Sequence, residues 1–245
     1  MNVLQQYRER ILSIVSSVLA MQEDNLAETA KKMVNLVRKE NVIHVFGTGH
    51  SHMIAEEAFY RAGGLACINA MLEPGLMLHN GVEQASWLER VEGLASVILD
   101  KYRVQAGDAI IIISNSGRNP VPIEMAIESK KRGLFTIGVT SLHYRDQPSR
   151  HTSGKKLYEV VDTVFDNGSV VGDAAVEVAS GVCMGPTSTI AGAAIINSLF
   201  LQIAREMSAI QLDPPIIQST NIDRSGVQER NHELIERYRP RVRLF

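Results

Sequence analysis

The sequence predicts an α/β fold in which a parallel sheet is covered by helices on both faces. Two observations carry this. Residues 109–113 read Ala-Ile-Ile-Ile-Ile, and a strand with no polar alternation has no wet face, so it belongs to a sheet buried on both sides. A polar loop follows at 114–119, then a helical stretch that stops at Gly133, then a second apolar run at 134–139. Strand, loop, helix and strand in that order form a right-handed βαβ unit.

The remaining elements follow from periodicity and breakers. Leu4, Tyr7, Ile11, Ile14 or Val15, and Val18 recur at spacings of three and four, the mark of an amphipathic helix. Leu26, Ala30, Met33 and Val37 give a second, with Asn25 and Glu28 spaced as a capping box at its start. Residues 42–46 are a short apolar, β-branched run that ends in Gly47-Thr48-Gly49. Residues 50–61 read as a helix closed by Gly63-Gly64, and 65–71 as a second strand. Pro120 and Pro122 fall where a first helical turn tolerates proline. Residues 141–156 form a long polar loop, Val164 and Phe165 a last short strand, and 187–207 a long apolar helix. The expected organisation is one domain over 1–245: leading helices at 1–40, an α/β core at 41–210 and a charged tail at 211–245.

Composition narrows the function. Lys plus Arg is 25 against 27 for Asp plus Glu, a net charge of −2, which argues against a nucleic-acid platform with its basic excess. Cys67 and Cys183 are the cysteines, too few for a disulfide framework or a cysteine zinc site. No apolar stretch reaches the length of a membrane span and no signal peptide is indicated. The expectation is a cytoplasmic protein with reduced thiols, without a membrane or nucleic-acid partner.

Two polar loops follow strands and precede helices: Gly47-Thr48-Gly49-His50-Ser51-His52 and Ser114-Asn115-Ser116-Gly117-Arg118-Asn119. In a parallel sheet both lie at the carboxyl edge, where ligands bind. Unpaired N–H groups at a helix start, with small hydroxyl side chains beside them, suit one anionic group. The first loop is not a dinucleotide fingerprint, because His52 stands at the third glycine's position, and a Gly-Lys-Ser/Thr triplet is absent.

Phe46-Gly47-Thr48-Gly49-His50-Ser51 and Ile113-Ser114-Asn115-Ser116-Gly117-Arg118-Asn119-Pro120 resemble the two signatures of sugar isomerase (SIS) domains. The resemblance covers most of the chain and is nearest to the uncharacterised phosphosugar-binding SIS proteins related to phosphoheptose isomerase. It implies a flavodoxin-like five-stranded parallel sheet, a sugar-phosphate ligand, and a homodimer or homotetramer; no cofactor is expected. Ser51, Ser114 and Ser116 inherit the phosphate, with Gly49, His50, Asn115 and Gly117 completing the loops. Asn119 stands where many members have Thr. Thr187 and Ser188, at the start of the long helix, lie where relatives line the sugar.

Candidates for proton transfer are Glu and His side chains. His52 and Glu56 share a helix face, as do Glu57 and Arg61. Phosphoheptose isomerases carry a metal-binding His and a catalytic Glu six and ten residues after the loop Ser, where this sequence has Glu57 and Arg61; an arginine is no base. Glu57, Glu73 and His52 are the candidate acid/base residues. His232 joins them by analogy with relatives whose distant histidine completes a neighbour's site. His44, inside the first strand, reads as a packed core histidine. His52 and Glu56 alone make no metal centre, so none is expected. The resulting expectation is a phosphosugar-binding protein, read first as an aldose–ketose isomerase. The alternatives are a non-catalytic sensing module and a lyase on a phosphorylated amino sugar.

Overall fold

The structure, a computed structural model, describes residues 2–245. Two helices lead, α1 (Val3–Met21) and α2 (Glu23–Val37). Then follow β1 (Ile43–Gly47), α3 (His52–Ala58), β2 (Ile68–Met71), α4 (Val82–Leu88), α5 (Leu94–Lys101) and β3 (Ala109–Ile113). The second half holds α6 (Pro120–Lys131), β4 (Phe135–Thr140), α7 (Leu157–Val160) and β5 (Thr163–Asp166). It continues with a hairpin, β6 (Val176–Ala179) and β7 (Val182–Met184), then α8 (Ser188–Ala209) and α9 (Val227–Tyr238). The five main strands are all parallel and lie in the order β2-β1-β3-β4-β5. This is the flavodoxin-like order the resemblance implies.

The isoleucine run behaves as its composition demands. Ile111 and Ile113 face a core built with α1, α2, α3, α8 and α9, while Ile110 and Ile112 face a second core with α5, α6 and α7. Successive side chains alternate across a strand, so a strand that is apolar at every position must be covered twice.

Three expectations change. The capping box at Asn25 does not form: α2 begins at Glu23, and Asn25 Nδ2 donates to the Val164 carbonyl at 2.9 Å. The break between α1 and α2 falls instead at Gln22, whose amide donates to the Asp166 carbonyl and accepts from the Asp166 N–H. Edge strand β5 thus fixes the junction through its free backbone groups. The helix expected over 50–61 opens as a 3₁₀ turn at Gly49–Ser51 and ends at Ala58. The charged tail carries α9, which buries Val227, Leu234 and Tyr238.

At the amino edge of the sheet a buried polar network fastens that tail. Asp108 accepts from the N–H groups of Val42 and Gln105, from Arg241 at 2.7 Å, and from His44 Nε2 at 3.1 Å. His44 Nδ1 accepts from Asn69, whose Oδ1 takes the Arg243 N–H. His44 is therefore the core histidine its strand position suggests. Burial alone would raise the Asp108 carboxyl; hydrogen bonds and charge from His44, then the two N–H groups, hold it below the ordinary value.

Asp108→Asn leaves the Arg241 guanidinium without its counter-charge and costs about 3 kcal/mol, read as a lower midpoint in urea at an unchanged slope. Because the folded carboxyl titrates below the unfolded one, its contribution is present at neutral pH. It is lost as pH falls through about 4 and on through the lowered folded value. The difference between wild type and variant closes over that interval.

Candidate functional site

The chain leaves β1 toward β2 on one side, while β3, β4 and β5 extend on the other. The carboxyl ends of β1 and β3, paired from Ile43↔Ala109 to Gly47↔Ile113, therefore flank the point where the strand order reverses. That is where an open α/β sheet leaves a crevice. Both loops singled out in the sequence stand on it.

Local chemistry explains their shape. A Cβ on Gly47 would lie 2.5 Å from the Ser51 carbonyl oxygen, so only glycine lets the chain fold back from β1 into the 3₁₀ turn. Gly117 has φ +59°, and a Cβ there would meet the Thr140 hydroxyl at 2.7 Å. The Ser114 hydroxyl, buried, accepts the Gly117 N–H at 3.2 Å and ties off the second loop.

The remaining loop groups divide into those already engaged and those left open. Asn115 is structural: its carbonyl accepts from the Ser141 N–H, and its Oδ1 accepts from Asn167 at 3.0 Å. Asn119 is buried and does not cap α6; its Oδ1 accepts from Arg150 Nη1 at 2.9 Å. The start of α6 itself offers little, since Pro120 and Pro122 have no N–H and that of Val121 goes to the Glu89 carbonyl. By contrast, the half-buried hydroxyls of Ser51 and Ser116 have no partner among the described residues. The N–H groups of Ser116, Arg118 and Asn119 have no acceptor there either.

Charge gathers around these open donors. The 141–156 loop brings Arg150 against Asn119, and the Arg150 N–H donates to the Arg118 carbonyl at 2.9 Å. Desolvation, then repulsion from Arg118 and Arg90, lowers the Arg150 guanidinium below its ordinary value, with Glu89 opposing. Glu89 Oε2 accepts from the Thr48 hydroxyl at 3.0 Å, so one carboxylate joins the first loop to this cationic group. Like charges held together by the fold lower their mutual repulsion by taking a polyanion between them. Glu89 and Arg90 follow directly after α4, a stretch whose sequence carries no periodic signal, and no local pattern announces them.

The proposed acid/base residues are not brought to one place. His52 is buried, its Nδ1 against the Gly49 carbonyl and its Nε2 3.9 Å from Glu56, with the His79 ring at its edge. His50 is exposed beside it. Glu57 pairs with Arg61 and accepts from Asn197 on α8 at 3.2 Å. Glu73 is ion-paired to Lys101 at 2.6 Å. His232 is exposed on α9, whose C-terminal continuation is fastened at the amino edge by Arg241. At the start of α8, Asp173 already accepts from the N–H groups of Thr187 and Ser188 and from the Ser188 hydroxyl. Those hydrogen bonds hold the Asp173 carboxylate below its ordinary value against the upward push of burial.

Comparison with known proteins agrees with this architecture. Residues 6–141 match the SIS domain. The chain is 45% identical to the UPF0309 protein of Halalkalibacterium halodurans over 241 residues, which are 98% of this chain and 96% of that protein. Among solved structures, a phosphoheptose isomerase from Francisella tularensis shares the fold with a TM-score of 0.54 at 14% identity, covering 84% of this chain and all (100%) of that one. The Vibrio vulnificus NanR protein complexed with ManNAc-6P gives 0.50 at 14% identity, over 98% of this chain and 69% of that one. With a domain match over more than half its length and such a relative over nearly all of it, the chain belongs to the SIS domain family and, within it, to the UPF0309 proteins.

Proposed function

We propose that the crevice between the two loops binds the phosphate of a sugar phosphate. The observation that carries this is the set of unengaged donors, the Ser51 and Ser116 hydroxyls with the N–H groups of Ser116, Arg118 and Asn119, beside Arg90, Arg118 and Arg150. Ser114 and Gly117 shape the second loop, Gly47 and Gly49 (φ +56°) the first, and Asn119 orients Arg150. The shared fold of a phosphoheptose isomerase and of a protein complexed with ManNAc-6P supports a sugar on that phosphate.

The finer reading is an aldose–ketose isomerase, which needs one group to carry a proton between adjacent carbons. Glu57 and Glu73 are paired to cations. Glu89, hydrogen-bonded to Thr48 at the crevice, is the carboxylate we assign to that transfer in preference to Glu57, Glu73, His52 or His232.

A panel of aldose and ketose phosphates raises the melting temperature of the protein, since saturation at 100 times Kd adds about 2.7 kcal/mol. Ser116→Ala and Arg150→Ala each weaken binding about tenfold, a change of ~1.4 kcal/mol. Stabilisation unchanged in the double variant overturns the phosphate assignment. In D₂O the wild type places deuterium at C1 or C2 of its substrate. Glu89→Gln slows that exchange by roughly 10²- to 10⁴-fold with binding intact. Tight binding by the wild type without any exchange decides for a sensing module instead.

A further inference from the structure

Outside the crevice, three ligand-type side chains from separate segments meet. Glu92 follows α4, Glu124 lies on α6, and His151 lies in the 141–156 loop; their nearest donor atoms all fall within 4.8 Å of one another. His151 Nε2 stands 3.6 Å from Glu124 Oε1 and 4.0 Å from Glu92 Oε1. Those separations are longer than a hydrogen bond. They are near the roughly 3.4 Å that a tetrahedral centre with ~2.0–2.1 Å bonds sets between its ligands.

Each ligand is held by another of its atoms. Glu124 Oε2 accepts from the Gly93 N–H at 2.7 Å, and Glu92 Oε2 accepts from the Thr152 hydroxyl at 2.9 Å, while Glu92 Oε1 also takes the Thr152 N–H at 2.8 Å and keeps a further lone pair. Ser153 presents His151 Nδ1 with its hydroxyl at 2.7 Å and its N–H at 3.2 Å. Accepting that N–H uses the Nδ1 lone pair and puts the ring proton on Nε2, toward the carboxylates; a metal ion at Nε2 moves the proton to Nδ1, where the Ser153 hydroxyl accepts it. The His151 side chain is only 10% exposed, and its Nε2 makes no hydrogen bond among the described residues. Hydrogen bonds at the far atoms are how proteins orient metal ligands before the metal arrives.

We propose that Glu92, Glu124 and His151 bind a divalent transition metal of the zinc class. Two carboxylate oxygens and one imidazole nitrogen supply the ligands, and water completes the shell. Two carboxylates match the charge of the ion, and the mixed nitrogen and oxygen donors suit zinc better than calcium or magnesium. Bound there, the ion joins the 141–156 loop to α6 and holds Arg150, the residue before His151, against Asn119 at the start of the same helix. Metal binding does not depend on the phosphosugar reading.

The test uses the full chain, stripped with a chelator and titrated with Zn²⁺ alone by calorimetry, with bound metal counted after dialysis. One equivalent per chain and a higher melting temperature are expected. His151→Ala and Glu124→Gln each weaken binding by more than the roughly 10- to 100-fold typical of an outer-shell change, and Ser153→Ala by about that amount. His52→Ala leaves it unchanged. Circular dichroism and melting of the metal-free variants establish that they fold. Glu92→Gln, at an exposed position, repeats the test if either fails to. No retained zinc, or wild-type affinity in both ligand variants, overturns the proposal.

Discussion

A parallel sheet buried on both faces is the constraint on which the rest of this molecule depends. Parallel strands cannot be joined by tight hairpins, so each connection must cross a face and cover it. The isoleucines of β3 demand that cover on both sides, and the helices supply it. The same geometry sends every strand out at one edge. The loops after β1 and β3, separated by dozens of residues in sequence, become neighbours because their strands are hydrogen-bonded to each other.

The two edges of the sheet handle polar groups in opposite ways. At the amino edge Asp108, His44, Asn69 and Arg241 satisfy one another, as burial requires. At the carboxyl edge the loop donors are left open, while the groups around them, Ser114, Asn115 and Asn119, are engaged within the protein. A rigid surround with unpaired groups at its centre is what a binding site for an anion needs, because the donors are ordered before the ligand arrives. At the start of α8 the protein provides its own anion, Asp173.

Much of the fold was legible along the chain, and the failures have physical causes. β3 was readable because an uninterrupted apolar run bounded by polar loops has few other uses, and β1, β4 and β5 because short β-branched or aromatic apolar stretches recur after helices or loops. The helices α4 and α5 are seven and eight residues long, too short for periodicity to stand out. Helix α9 buries four side chains along twelve residues, one of them Asn231, so its stripe is hidden among charges. Asn25 fitted a capping box by spacing, yet a carbonyl of β5 from far along the chain claimed its amide. The serine loops could be found in the sequence because the donors are consecutive. Glu89 and Arg90 could not, because their partners Thr48 and Arg150 lie about forty and sixty residues away.

By itself, the sequence determined the α/β class, the strands of the sheet, and the two glycine- and hydroxyl-rich loops at its carboxyl edge. Each of these is a local property, written in periodicity, turn chemistry or a short motif. Only the tertiary structure decided which donors stay unpaired, which carboxylates are neutralised by a neighbouring cation, and which arginines share the crevice. Hydrogen bonding and charge pairing act through space at a few ångströms, and the distances that govern them exist only after the strands have been ordered and the helices packed.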